Sequence, residues 1–157
     1  MTSIAGSTRT CRPVGDATPD RGLIDTSVVI DLERIDPGSL PSEMAVSAVT
    51  LAELAAGPHA TDDLTERARR QDRLQRVEAT FDPLPFDDAA ARAYGRIYAA
   101  VVQTGRKARG ARVVDLLIAA TALANDLPLY TNNGADFSGL GDLLDIRAPT
   151  AIDRGTA

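Results

Sequence analysis

Histidine and cysteine are all but missing from this chain: among its 157 residues His59 is the only histidine and Cys11 the only cysteine. An internal disulfide is therefore excluded, and so is a zinc site built from several Cys and His ligands. The same scarcity argues against Ser-His-Asp and Cys-His catalysis. Lysine is as rare, with Lys107 alone. No apolar run approaches the roughly 20 residues of a membrane span. Residues 1–21 contain Ser, Thr, Arg, Asp and Pro but no apolar h-region, so no secretory leader is expected, and a cytoplasmic location follows by default. Neither a Gly-x-Gly-x-x-Gly run nor a P-loop occurs, which argues against a nucleotide cofactor. No internal repeat and no second domain is visible.

What is present suits one domain. Hydrophobic residues make up 44% and charged residues 25%, and a chain of this length buries roughly two-thirds of its unfolded surface. The net charge of −5 taken alone argues against nucleic acid, because phosphate contacts need cations. The positive charge is clustered, however: Arg67, Arg69, Arg70, Arg73 and Arg76 in one stretch, Arg106, Lys107, Arg109 and Arg112 in another. Part of the negative charge could belong to a metal site, where a bound divalent ion reverses the local sign.

Along the chain, residues 1–21 read as a flexible lead-in and 150–157 as a tail, with the folded domain over 22–149. Within it, short strands are expected at 22–25, 44–48, 128–131 and 144–147. Helices are expected over 26–33, from Thr50 to 57–58, over 62–79 and 88–103, and through the strongly apolar 113–124. Residues 81–86 read as extended and 105–110 as a basic loop. The helix 62–79 is expected to bury Leu64, Ala68, Leu74 and Val77. Its arginines read as a solvated face paired at i,i+4 spacing through Asp63–Arg67, Glu66–Arg70 and Asp72–Arg76. Alternating strands and helices imply an α/β fold with a parallel sheet, and such sheets bind ligands beyond the carboxyl ends of their strands.

Acids gather at that place. Asp25 ends the first strand, Glu53 lies on the helix after the second, and Asp136 follows the turn after strand 128–131. Each has a plain structural reading: Asp25 as a helix N-cap, Glu53 as the far end of a Thr50-x-x-Glu53 capping box, and Asp136 as the cap of a short helix. Asp115 is harder to explain that way. It sits in a segment apolar on nearly every face, the mark of a buried helix, where a carboxylate must be bonded, paired or bound to a cation. Its structural reading is the N-cap of a helix beginning at Leu116. Taken together, four neighbouring carboxylates repel one another and raise each other's pKa. A hard divalent cation, magnesium or alternatively manganese, resolves the repulsion. Carboxylate-held metal activates water and stabilises the leaving oxygen in phosphodiester hydrolysis without a nucleophilic side chain.

Four segments carry a resemblance in order: Leu23-Ile-Asp25-Thr-Ser27, Val46-Ser-Ala-Val-Thr50-Leu-Ala-Glu53, Val114-Asp115-Leu-Leu-Ile-Ala-Ala120, and Thr131-Asn-Asn133-Gly-Ala-Asp136-Phe137. The chain resembles the VapC toxins, which are PIN-domain ribonucleases. The resemblance implies a three-layer α/β/α PIN-like domain with a short, mostly parallel sheet. It implies magnesium held chiefly by Asp25 and Asp115, with Glu53 and Asp136 completing the acidic cluster directly or through water. Ser27 and Asn133 would orient ligands or water. The implied activity is endonucleolytic cleavage of RNA by metal-activated water, as the toxin of a type II toxin–antitoxin pair. The implied partners are a VapB-type antitoxin and a second copy of the chain. The departure from the family is the stretch 1–21 ahead of the first strand, on which none of the acids depends.

The basic loop of Arg106, Lys107, Arg109 and Arg112 directly precedes Asp115 and is expected to contact RNA phosphates. Two other readings stand beside this one. A receiver-like phosphoacceptor also places acids around magnesium, but it wants an acidic pair near Asp25 and a late lysine. A catalytically inactive PIN-like module would bind RNA without cutting it. DNA is the alternative substrate for an active nuclease.

Overall fold

The structure, a computed structural model, describes residues 20–153 and 155. The expected flexible arm lies outside the described residues as far as residue 19, and Arg21 already belongs to the first strand. Four short strands form one parallel sheet: β1 (Arg21–Ile24), β2 (Glu43–Ala45), β3 (Leu129–Tyr130) and β4 (Ile146–Arg147), in the order β2-β1-β3-β4. Among the described residues five α-helices connect and cover it: α1 (Thr26–Asp31), α2 (Ala48–Ala56), α3 (Leu64–Thr80), α4 (Asp88–Gln103) and α5 (Ala111–Ala124). The extended segment 81–86 lengthens the β2 edge, where Leu84 exchanges backbone bonds of 2.9 and 2.8 Å with Val46 and Ala48.

The sheet separates two cores because side chains alternate along a strand. Leu23 and Leu129 point into a core with Ile97 and Val101 of α4, Leu116 and Ala119 of α5, and Phe137. Their neighbours Ile24 and Tyr130 point the other way, onto Val28 of α1, Leu54 of α2, and Leu74 and Val77 of α3. The result is the expected three-layer α/β/α arrangement. β1 lies inside the sheet and is buried from Gly22 onward, which explains its continuous apolar run. Gly22 is required by close approach: a methyl there would stand 2.8 Å from Tyr130 Cδ2 and 3.0 Å from Pro41 Cγ.

Several expectations are revised at element ends. α2 begins at Ala48, earlier than expected, because the buried Ser47 is its N-cap and accepts the Thr50 amide at 3.0 Å. Thr50 therefore caps nothing, and the Thr50–Glu53 capping box does not form. α5 begins at Ala111, behind Gly110 at φ +59°. Asp115 thus lies one turn inside the helix and is not its N-cap. On α3, Leu74 and Val77 are buried, but Leu64 is 75% exposed and Ala68 is exposed, since only the carboxyl-terminal half of this helix meets the core. Of its three expected ion pairs only Glu66–Arg70 forms, at 2.9 Å. Asp63 is occupied as the N-cap, accepting the Glu66 amide at 2.9 Å, and Arg76 leaves its own helix for Glu33 at 3.1 Å. At the carboxyl end, Thr150 and Ile152 bond to residues 34–39, with Ala151 bridging Ile35. No helix among the described residues is long and apolar enough to cross a membrane.

Candidate functional site

The site lies where the carboxyl ends of β1 and β3 meet the start of α5, beside α2. Asp25 follows β1 directly. It is 4% exposed and its amide donates to Tyr130 O at 3.0 Å. The carboxylate is the N-cap of α1, so the structural reading holds: Oδ1 accepts from the Val28 amide at 3.1 Å and from Ser27 Oγ at 2.6 Å. Glu53 projects from the second turn of α2, where its Oε2 accepts from Thr26 Oγ1. Asp136 sits within the 3₁₀ turn Gly134–Phe137, exposed, while its neighbour Phe137 is buried at 1% and anchors the turn in the core.

Electrostatics tie the four acids together. The Asp115 carboxyl is pushed up from an ordinary 3.8 to about 6. Burial is the largest cause, followed by the negative charges of Asp136, Glu53 and Asp25, against an opposing pull from Arg112. A carboxylate lifted by three others in a half-buried place is the arrangement that a divalent cation relieves. The donor set, hard carboxylate oxygens without sulfur or imidazole, fits magnesium or manganese. Among the described residues no three Asp, Glu, His or Cys side chains already stand in the geometry that closes round an ion. The hydrogen bonds give a physical reason: Asp25 is turned to Ser27 and Val28, and Glu53 to Thr26, so like charges are kept apart.

Two polar residues beside the acids, Ser27 and Asn132, tie the chain after β1 to the loop after β3. Ser27 Oγ donates to Asp25 Oδ1 at 2.6 Å and accepts the Asn132 amide at 3.0 Å. Asn132, rather than Asn133, ties the β3 loop to α1, donating from Nδ2 to Ser27 O at 3.3 Å and to Asp31 Oδ2 at 3.2 Å. Asn133 makes a backbone bond instead, its amide donating at 3.0 Å to Oγ1 of the buried Thr131. The two asparagines are adjacent in sequence, and only the path of the chain decides which one reaches back. Thr26 carried no signal beyond its place next to the first acid.

The basic loop runs between Gly105 at φ +73° and Gly110 at φ +59°. Arg106 Nη1 donates to Ala135 O at 3.2 Å, fastening the loop to the turn that carries Asp136. Among the described residues, Arg106, Lys107, Arg109 and Arg112 form no ion pair, so their charge is available. A cleft lined by Thr26, Ile30, Glu53, Leu54 and Arg73 opens beside the acids. A more apolar cleft between α1 and α3, lined by Val29, Met44, Val77 and Phe81 among others, shares Ile30 and Arg73 with it.

Comparison with known proteins agrees with this fold. A family model describing the PIN domain matches residues 22–143. Ribonuclease VapC5 of Mycobacterium tuberculosis is 39% identical over 126 residues, covering 78% of this chain and 90% of the relative. A Ribonuclease VapC of Rickettsia bellii is 31% identical over 132 residues, covering 81% and 96%. Among solved structures, a member of the VapBC family of toxin–antitoxin systems, VapBC-5 from Mycobacterium tuberculosis, contains a chain that superposes with a TM-score of 0.71 at 36% identity. That match covers 83% of this chain and 98% of the other.

Proposed function

The chain belongs to the PIN-domain family, among its VapC ribonucleases, and from that premise we propose that Asp25, Glu53, Asp115 and Asp136 bind the divalent cation with which this endoribonuclease toxin cuts RNA. The observation that carries the reading is the gathering of four carboxylates at one end of the sheet, with Asp25, Glu53 and Asp136 near enough to act on the half-buried Asp115. Asp25 and Asp115 are the principal ligands, with Glu53 and Asp136 acting directly or through water. Magnesium or manganese, when bound, supplies positive charge to the phosphodiester and activates water for hydrolysis.

The protein's own residues do the rest. Both bonds to Asp25 fall on Oδ1, which fixes the carboxylate's direction and leaves Oδ2 without a hydrogen bond among the described residues. Asn132 and Ser27 hold the β3 loop against α1, so that Asp25 and Asp136 keep their relation. The loop carrying Arg106, Lys107 and Arg109 meets RNA phosphates next to the acids. Arg112, on the first turn of α5, offsets part of the negative charge before a cation arrives.

A VapB-type antitoxin is the partner, as in the toxin–antitoxin complexes among the structural relatives, and a second copy of the chain completes a homodimer. An apolar cleft between α1 and α3, sharing the walls Ile30 and Arg73 with a more charged cleft that reaches Glu53, offers such an antitoxin a seat, so that binding and blocking the site are one event.

The decisive experiment is cleavage of an RNA by the purified protein with magnesium or manganese, with a chelator, and by Asp115→Asn. Metal charge stabilisation is worth several kcal/mol. The variant, whose shape is preserved, should therefore lose at least about a hundredfold in rate while its melting curve stays cooperative. Cleavage by Asp115→Asn at the parent's rate, or cleavage indifferent to chelation, removes the cation site.

A further inference from the structure

Glu53 is held by a row of three hydroxyls. Thr26 Oγ1 donates to Glu53 Oε2. Thr50 Oγ1 lies 3.4 Å behind Thr26 Oγ1, the longest step of the row, and Ser47 Oγ lies 3.1 Å behind Thr50 Oγ1. Ser47 and Thr50 are both at 0% exposure, so water does not compete for them. Each hydroxyl has one proton to give. The Thr26 proton goes to the carboxylate, so Thr26 can only accept from Thr50, and Thr50 in turn can only accept from Ser47. The Ser47 proton thus points at Thr50 and the Thr26 proton at Glu53, while across the 3.4 Å step, longer than an ordinary O–H···O bond, Thr50 backs Thr26 chiefly by contact.

Neither ordinary role of these residues accounts for the row. Ser47 already has its capping duty through the Thr50 amide, which leaves its hydroxyl proton for Thr50 Oγ1. Thr26 is the first residue of α1, a helix capped by Asp25, and its hydroxyl is not needed there. What the row adds is a fixed direction for Glu53, which otherwise has three rotatable bonds on an open face of α2. Because Thr26 follows Asp25 in the chain, the first acid and the second are set by adjacent residues.

We infer that Thr26, backed by Thr50 and Ser47, is the positioning residue that fixes the Glu53 carboxylate within the acidic cluster. The inference rests on the reading of that cluster as a cation site. Groups that orient metal ligands typically change metal affinity or activity by about ten- to a hundredfold when removed.

The test uses the parent protein, Thr26→Val, Thr26→Ser and Thr50→Val. Manganese affinity is measured by titration without RNA, and kcat and KM are measured with RNA. Thr26→Val, which keeps the shape and loses the hydroxyl, should lose about tenfold or more in manganese affinity and in kcat, with KM changed by less than about twofold. Thr26→Ser should recover to within about threefold of the parent, and Thr50→Val should lose less than Thr26→Val in the same direction. A parent that binds manganese and cleaves RNA, matched by Thr26→Val in both, overturns the inference alone. So does Thr26→Ser as weak as Thr26→Val, which assigns the effect to packing, and so does a loss confined to KM. A parent that neither binds manganese nor cleaves RNA overturns the cation reading and this inference with it.

Discussion

Asp115 combines two properties that pull against each other: it lies one turn inside the most buried helix, and it faces three other acids. Its carboxyl, raised to about 6, binds a proton more tightly in the folded chain than in the unfolded one, where the ordinary value is 3.8. Between those two values the folded state holds more protons, so the metal-free protein loses stability as pH rises from about 4 to about 6, and the loss persists above. Asp115→Asn removes that penalty. In the absence of metal the variant should be more stable than the parent at pH 7.5, by on the order of 1 kcal/mol once solvent screening of a partly exposed group is allowed for. The advantage should shrink as pH falls through 6 toward 4. Urea unfolding with chelator at several pH values reads this directly, and a variant equal to or weaker than the parent at pH 7.5 contradicts it. Arg112 opposes the effect, so Arg112→Gln should widen the gap.

In the basic loop between α4 and α5, Arg106, Lys107 and Arg109 form no ion pair among the described residues. Changing Arg106, Lys107 and Arg109 to Ala should weaken RNA binding for any sequence and flatten its dependence on salt by about one unit of slope for each lost phosphate contact. Binding measured in the Asp115→Asn background, so that the RNA stays whole, supplies the comparison, and equal slopes would move the RNA path to α3. This loop was legible because its composition and its place before Asp115 are both local facts. Other local facts misled. Thr50 and Glu53 have the spacing of a capping box, yet Ser47, three residues earlier, takes the capping role because the chain pairs Val46 and Ala48 with Leu84 across the sheet edge. Three acid–arginine pairs on α3 have ideal spacing, yet one forms, since Asp63 caps the helix and Glu33 of a distant turn captures Arg76. The strong period of α4 had no such competitor, and its bounds were readable residue for residue. Long-range partners, invisible in one window of sequence, account for each difference.

At the scale of the whole molecule, the acids are stored repulsion that folding holds together, and a cation that binds only the folded state returns stability by mass action. Millimolar magnesium or manganese should raise the melting temperature of the parent and raise that of Asp115→Asn much less. A parent whose melting temperature ignores both ions would count against a cation site in the folded chain. The order of the strands adds one more consequence. β1 and β2, with the first two acids, are complete early in the chain, but β1 finds its second neighbour, β3, only after α3, α4 and α5 have been made, and Asp136 comes later still. While the protein is being translated, the emerging chain therefore carries Asp25 and Glu53 without the rest of the cluster. A chain arrested before Thr131 lacks the strand that seats the site. Binding of a cation by all four acids is therefore expected only once β3 has joined the sheet and the turn Gly134–Phe137 has closed.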